Sequence, residues 1–230
     1  MSPDWRVFAD ADALVEALAD ALCAEAEAAL ASRGVFHLVL AGGSTPRELY
    51  RALADRQAGD ARWQVWYGDE RCLPADHPER NSVMAEAAWL AASRISPENR
   101  RPIPAELGAI EAAARYACWL KDVGDFDVVL LGMGEDGHTA SLFPGHDWGA
   151  APNSPDALAI FAAPKPPPER VSLSATRLSR SRRVWIVITG AGKREALLRW
   201  KSGEVLPVSA VRGGQQTMVW LDAAAWPGDA

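Results

Sequence analysis

Apolar residues recur along this chain in two alternating rhythms. Leu14, Leu18, Leu22 and Ala26 fall four apart in an alanine-rich stretch, which predicts an amphipathic helix over residues 11–32. Val35 to Leu40 is then a short, mostly apolar run, the mark of a buried strand. The alternation continues. Thr45 and Pro46 suit the N-cap and first position of a helix running on through Leu53. Trp63 to Tyr67 predicts a strand, and residues 80–93 and 106–122 predict helices. Phe126 to Leu131 is the third clear strand, and Leu158 to Ala163 a weaker one before Pro164-Lys165-Pro166-Pro167-Pro168. Val184 to Ile188 is a strand, Arg194 to Lys201 a helix, and Thr217 to Leu221 a short last strand. Strand, loop and helix in repetition predict an α/β fold with a mainly parallel sheet and helices on both faces. The chain has no internal repeat, and the proline-rich stretch is too short for a linker. One domain over residues 1–230 is expected, with 164–182 as a small lid or appendage.

Composition narrows the class. Apolar content of 49% and charged content of 23% are ordinary for a soluble globular protein of 230 residues. No apolar run approaches the roughly 20 residues that span a bilayer. Met1-Ser2-Pro3-Asp4-Trp5 has neither a basic start nor a following apolar segment, so no signal peptide is expected. Cys23, Cys72 and Cys118 fit neither a disulfide framework nor a zinc pattern, which points to a reducing, cytoplasmic setting. A net charge of −6 argues against nucleic acid as a partner. A small anion bound by local Arg and Lys clusters stays open.

The densest chemistry lies in Gly132-Met133-Gly134-Glu135-Asp136-Gly137-His138-Thr139-Ala140-Ser141-Leu142-Phe143-Pro144. It follows a predicted buried strand, and open α/β sheets bind ligands at the carboxyl ends of their strands. Its first six residues match the glycine pattern of a dinucleotide loop. That reading fails, because Glu135 and Asp136 would repel a pyrophosphate and Pro144 arrives too early for the long helix required. His138 is suited to move a proton near neutral pH, with Asp136 placed to hold its tautomer. His37, His77 and His146 show no metal-ligand spacing with it, so no metal and no cofactor are expected.

Three other loops carry anion-binding groups. Gly42-Gly43-Ser44-Thr45-Pro46 offers free backbone N–H groups, two hydroxyls and a helix start, although a plain strand-to-helix turn would use the same residues. Asp69-Glu70-Arg71 follows a strand, so all three side chains are expected at the same rim. Arg71 can fork onto a phosphate, or simply pair with an acid. Gly190-Ala191-Gly192-Lys193 is no Walker loop, since Val187 and Arg194 break that pattern, yet Lys193 can serve as a point charge. Together these groups suggest an enzyme acting on a small phosphorylated molecule.

Taken in order, Ala41-Gly42-Gly43-Ser44-Thr45-Pro46, Gly68-Asp69-Glu70-Arg71, Asn81-Ser82, the Gly132–Pro144 string, Pro166-Pro167-Pro168-Glu169-Arg170-Val171-Ser172-Leu173 and Gly190-Ala191-Gly192-Lys193 resemble the 6-phosphogluconolactonases. These belong to a superfamily with the glucosamine-6-phosphate deaminases. The resemblance spans about residues 5–222. It implies a three-layer, Rossmann-like fold and hydrolysis of 6-phospho-D-glucono-1,5-lactone to 6-phosphogluconate, in a monomer or weak homodimer without nucleic-acid or membrane partners. His138 would be the general base, Asp136 its orienting partner, and Asp69 a second acid–base group or a partner for Arg71. Gly43, Ser44, Thr45, Arg71, Lys193 and Arg170 would hold the phosphate, or one of these cations or loop N–H groups would face the oxyanion. The deaminase branch carries an acid where this chain has Phe143, which disfavours an aldose–ketose isomerase. A non-catalytic phosphosugar-binding domain is the other alternative.

Overall fold

The computed structural model describes residues 3–228, so the Met1-Ser2 part of the start lies outside it. In chain order its strands are β1 (Asp4–Phe8), β2 (Phe36–Leu40), β3 (Trp63–Tyr67), β4 (Asp69–Arg71), β5 (Phe126–Gly132), β6 (Ala157–Ile160), β7 (Arg170–Leu173), β8 (Ser181–Ile188) and β9 (Gln216–Asp222). Its α-helices are α1 (Ala11–Arg33), α2 (Ser44–Asp55), α3 (Asn81–Ala88), α4 (Ala109–Leu120), α5 (Ala175–Ser179) and α6 (Arg194–Lys201). Six strands make one sheet in the order β1-β9-β8-β5-β2-β3, with every neighbouring pair parallel.

Local sequence explains the elements. α1 starts where the Asp10 carboxylate accepts the Ala13 N–H at 2.8 Å, and stops where Gly34 turns left-handed at φ 77. Its Leu14, Leu18, Leu22, Ala26 and Ala29 are buried, so the four-residue spacing is the face that meets the core. β5 is buried from Phe126 to Leu131, as a central strand covered on both faces must be.

Topology places the site. From β2 the chain moves outward to β3, then returns to pair β5 on the other side of β2 and continues through β8 and β9. The loops leaving β2 and β5 therefore diverge, and open parallel sheets bind ligands in such a gap. A second, antiparallel sheet in the order β4-β7-β6 stands at this edge. Leu173 N–H bonds Gly68 C=O at 2.7 Å and ties it to the end of β3.

The structure corrects several expectations. Residues 164–182 are no appendage, since they contain β7, the middle strand of the second sheet, and α5. The helix expected over 80–93 ends at Ala88, where Trp89 leaves helical geometry at φ −152, and resumes as a 3-10 turn over Leu90–Ala92. Gly43, not Thr45, is the N-cap of α2, and no side chain caps it. β1 and β4 have no apolar signature. β1 is a largely exposed edge strand and β4 is three residues long, so neither presents a long face to the core.

Candidate active site

At the carboxyl ends of β2, β3, β5 and β8 lies a cleft of about 360 Å³, within the range of small-molecule sites. Its walls include Gly43 from the β2 loop, Asp69 and Arg71 from β4, His138 from the β5 loop, Lys165 and Arg170 from the proline loop and β7, and Lys193 after β8. Residues far apart in sequence thus face one space.

The β5 loop builds around its histidine. His138 Nδ1 lies 2.5 Å from Asp136 Oδ1, and the same oxygen accepts the His138 backbone N–H at 3.1 Å. Burial alone would push the Asp136 carboxyl up, but these contacts outweigh it and hold it below the usual range. Asp136 itself does not line the cleft. It stands behind the ring, which leaves Nε2 as the nitrogen that can serve substrate. Gly134 is required here, because a Cβ would fall on His138 Nδ1 and lie 2.6 Å from Asp136 Oδ1. The Gly134 N–H bonds the His138 C=O at 2.8 Å and closes the turn. Ala140, also on the cleft wall, sits in the left-handed region at φ 47, a strain of about 1 kcal/mol of the kind that collects at functional sites.

Strand periodicity sorts the β4 triplet. Asp69 and Arg71 point one way, into the cleft, and Glu70 the other. Glu70 is therefore not at the rim, contrary to expectation. Fully buried, it accepts the N–H groups of Asn81 at 2.7 Å and Ser82 at 2.9 Å and caps α3 from outside. Capped in this way, α3 presents Asn81, whose Nδ2 donates to the Asp69 backbone carbonyl at 3.0 Å and to its Oδ1 at 3.1 Å. Ser141 Oγ donates to Asp69 Oδ2 at 2.6 Å. Both carboxylate oxygens of Asp69 are thus committed, which suits an acceptor that shapes the wall better than a proton shuttle.

Arg71 and Arg170 are directly paired across β4 and β7, a repulsive like-charge pair with Asp69 nearby. Arg71 Nη1 donates to the Glu79 carbonyl. Arg170 is buried. Its Nε and Nη2 donate to the carbonyls of Pro167 at 3.1 Å, Lys165 at 2.9 Å and Pro166 at 3.1 Å. Burial pushes the Arg170 guanidinium below its ordinary range, with the Asp69 charge opposing and Arg71 reinforcing. Lys193 is lowered too, first by burial; Glu135 opposes that shift and the Lys165 charge adds to it. Ser44 and Thr45 do not line the cleft. Ser44 is exposed, and Thr45 Oγ1 is bonded to Thr189 Oγ1 at 2.6 Å, which ties the start of α2 to the loop that carries Lys193. The uncapped N–H groups of α2 still open toward Gly42 and Gly43 at the cleft.

Sequence reasoning missed Lys165, which sat unremarked among prolines, and Ser141, whose partner lies on another sheet. The packing of Asn81 against Gly42, where a Cβ would strike the Asn81 amide, was equally hidden. Phe143 is buried, its ring 4.8 Å from that of His138 and beneath the Arg170 guanidinium at 5.7 Å. An aromatic face therefore stands where the isomerase reading asks for a carboxylate. Among the described residues no three His, Cys, Asp or Glu side chains converge to hold a metal ion.

Fold and site together define an α/β enzyme with a histidine–aspartate pair facing a cation-lined cleft. The chain belongs to the family described as glucosamine-6-phosphate isomerases/6-phosphogluconolactonase, whose model matches residues 9–220. It is similar to the 6-phosphogluconolactonase of Streptomyces coelicolor, 36% identical over 97% of this chain and 94% of that protein. The 6-phosphogluconolactonase of Mycobacterium tuberculosis is 36% identical over 98% of each. The crystal structure of 6-phosphogluconolactonase from Thermotoga maritima superposes with a TM-score of 0.88 at 25% identity, covering 96% of this chain and all of that one.

Proposed function

We propose that this chain hydrolyses 6-phospho-D-glucono-1,5-lactone to 6-phospho-D-gluconate, the second step of the oxidative pentose phosphate pathway. The observation that carries this reading is the His138–Asp136 pair facing a cleft with four cationic side chains. His138 Nε2 takes a proton from water as the oxygen attacks C1 of the lactone. The carbonyl oxygen becomes an oxyanion, which a neighbouring cation stabilises. Collapse expels the ring oxygen, which takes the proton from the imidazolium. Asp136 holds the ring and stabilises its charged form. The α2 N-terminus at Gly43, with Lys193, Arg71 and Arg170, supplies charge for the 6-phosphate, and remote binding of that group aims C1 at the water. Asp69, held by Asn81 and Ser141, orders the wall between these groups.

The remaining parts of the reading concern domain organisation, assembly and setting. The chain works as one domain, since both sheets supply cleft residues. The reading takes the chain as a monomer or weak homodimer acting on a phosphosugar lactone. The proposed setting is cytoplasmic, and no helix among the described residues is long and apolar enough to cross a membrane.

The test is a coupled assay in which glucose-6-phosphate dehydrogenase generates the lactone and 6-phosphogluconate dehydrogenase reports its hydrolysis. Wild type is expected to exceed the spontaneous rate, and His138→Asn to lose on the order of 10²–10⁴-fold in kcat. Wild-type activity in that variant overturns the base assignment, and a folded wild type without activity overturns the lactonase reading.

A further inference from the structure

We propose that Lys165 is a specificity-determining residue of this cleft: its ammonium, held out by an arginine-clamped proline loop, joins Lys193 in gripping the substrate's phosphate. The proposal rests on the lactonase reading for the identity of the substrate, and on three observations for the residue.

The first is placement. Lys165 lines the cleft with Lys193, although the two come from different loops. Lys165 is the only charged residue in Phe161–Pro168, a stretch with four prolines. Proline fixes backbone φ, so the loop loses little further freedom when a ligand binds.

The second is the way the loop is held. Arg170 binds the carbonyls of Lys165, Pro166 and Pro167, three in succession, and the Ala163 N–H closes the base on the Pro168 carbonyl at 3.0 Å. Beneath it Phe143, Ile160 and Ala163 form a small apolar cluster separate from the main core. A buried guanidinium spent on the backbone of a surface loop is costly unless the position of that loop matters. What the loop presents to the cleft is Lys165. Arg170 thus acts in part as a positioning residue, with Nη1 making no bond to the protein among the described residues.

The third is charge. Neither Lys165 nor Lys193 has a carboxylate within 4.0 Å among the described residues. Burial disfavours the charge of Lys193, and the nearby Lys165 ammonium adds to that effect. Two unbridged ammonium groups beside a helix N-terminus suit a dianion better than a transient single charge. The Thr45–Thr189 bond places that helix start beside the Lys193 loop.

The experiment compares wild type, Lys165→Ala and Lys165→Arg on the phosphorylated lactone and on unphosphorylated D-glucono-1,5-lactone. Calorimetric binding of 6-phosphogluconate and of gluconate runs alongside. In Lys165→Ala the ratio of kcat/KM for phosphorylated over unphosphorylated lactone is expected to fall about 10–100-fold, through KM rather than kcat, as for one lost charge-assisted hydrogen bond. Lys165→Arg is expected to recover most of it. Equal losses on both lactones, or 6-phosphogluconate binding to Lys165→Ala as tightly as to wild type, overturns the proposal. A wild type that hydrolyses neither lactone, with 6-phosphogluconate binding that Lys165→Ala alone weakens, leaves Lys165 as the phosphate ligand and removes the lactonase reading.

Discussion

Gly134 shows how one residue can set the geometry of a proposed base without itself carrying a functional group. Its lack of a Cβ lets the His138 ring and the Asp136 carboxylate occupy the space above the turn. Alanine there collides with both groups of the pair, and a displacement near 1 Å at a reacting group is worth on the order of 10²-fold in rate. Gly134→Ala is therefore expected to lower kcat by about that factor while the circular dichroism spectrum stays that of wild type. Steady-state kinetics decide the matter: a variant within twofold of wild type would mean that the pair does not depend on this contact. Asp136 contributes through charge, because a carboxyl held below its usual range stays ionised across the neutral range and keeps the imidazole in one tautomer. The Asp136 effect is local, which is why the Gly132–Pro144 string already suggested it, whereas the need for glycine at 134 shows only in the folded turn.

At the scale of elements, the short strand β4 does two jobs through its two faces. Asp69 and Arg71 meet the cleft, while Glu70 organises the start of α3 and lies 3.5 Å from the buried Arg80 Nε. Both oxygens of Glu70 are engaged by N–H or O–H donors. Removal of that carboxylate leaves Arg80 short of a partner and two helix N–H groups uncapped. Glu70→Ala is expected to cost about 3–5 kcal/mol, the range for breaking a buried charged pair. Urea unfolding at neutral pH measures it, and a loss below about 1 kcal/mol would show that solvent or Glu106 replaces Glu70. The sequence placed D-E-R beside the cleft but not the turn of Glu70 away from it. Assigning faces needs the knowledge that these three residues are a strand, and a triplet has too few positions to reveal period 2.

For the whole molecule, the two ends of the main sheet hold different polar clusters. The carboxyl ends carry the cleft, while the amino ends carry a buried Asp127, which accepts the His37 backbone N–H at 2.8 Å and pairs with Arg33 at 2.6 Å. His37 Nδ1 accepts the Trp66 indole N–H at 3.2 Å, a bond that needs the nitrogen unprotonated. Burial pushes the His37 imidazole below its ordinary value of 6.5; the Asp127 charge opposes this and Arg177 adds to it. The unfolded chain therefore binds this proton at a higher pH than the folded one. The stability due to the neutral ring is complete above about pH 6.5 and is lost as pH falls from there through the lowered folded value. His37→Gln is expected to show a smaller drop in Tm between pH 7.5 and 5.5 than wild type, by calorimetry at matched ionic strength. Identical drops would assign the acid sensitivity to other groups.

The sequence by itself determined whatever depends on near neighbours. Apolar runs marked β2, β3, β5, β8 and β9, because a strand covered on both faces must be apolar along its length. Glycines, Asp136 and His138 within a few residues of each other marked the proposed catalytic loop, because a turn of that length brings its own side chains together. Only the tertiary structure decided which distant groups share the cleft. Lys165 gave no signal among prolines, since its meaning depends on Arg170 five residues on and on Lys193 in another loop. Asp69 gained Ser141 and Asn81 as partners through the pairing of β4 with β7 and the capping of α3. Hydrophobic periodicity records that a face meets the core, but not which polar group waits on the other side of the contact.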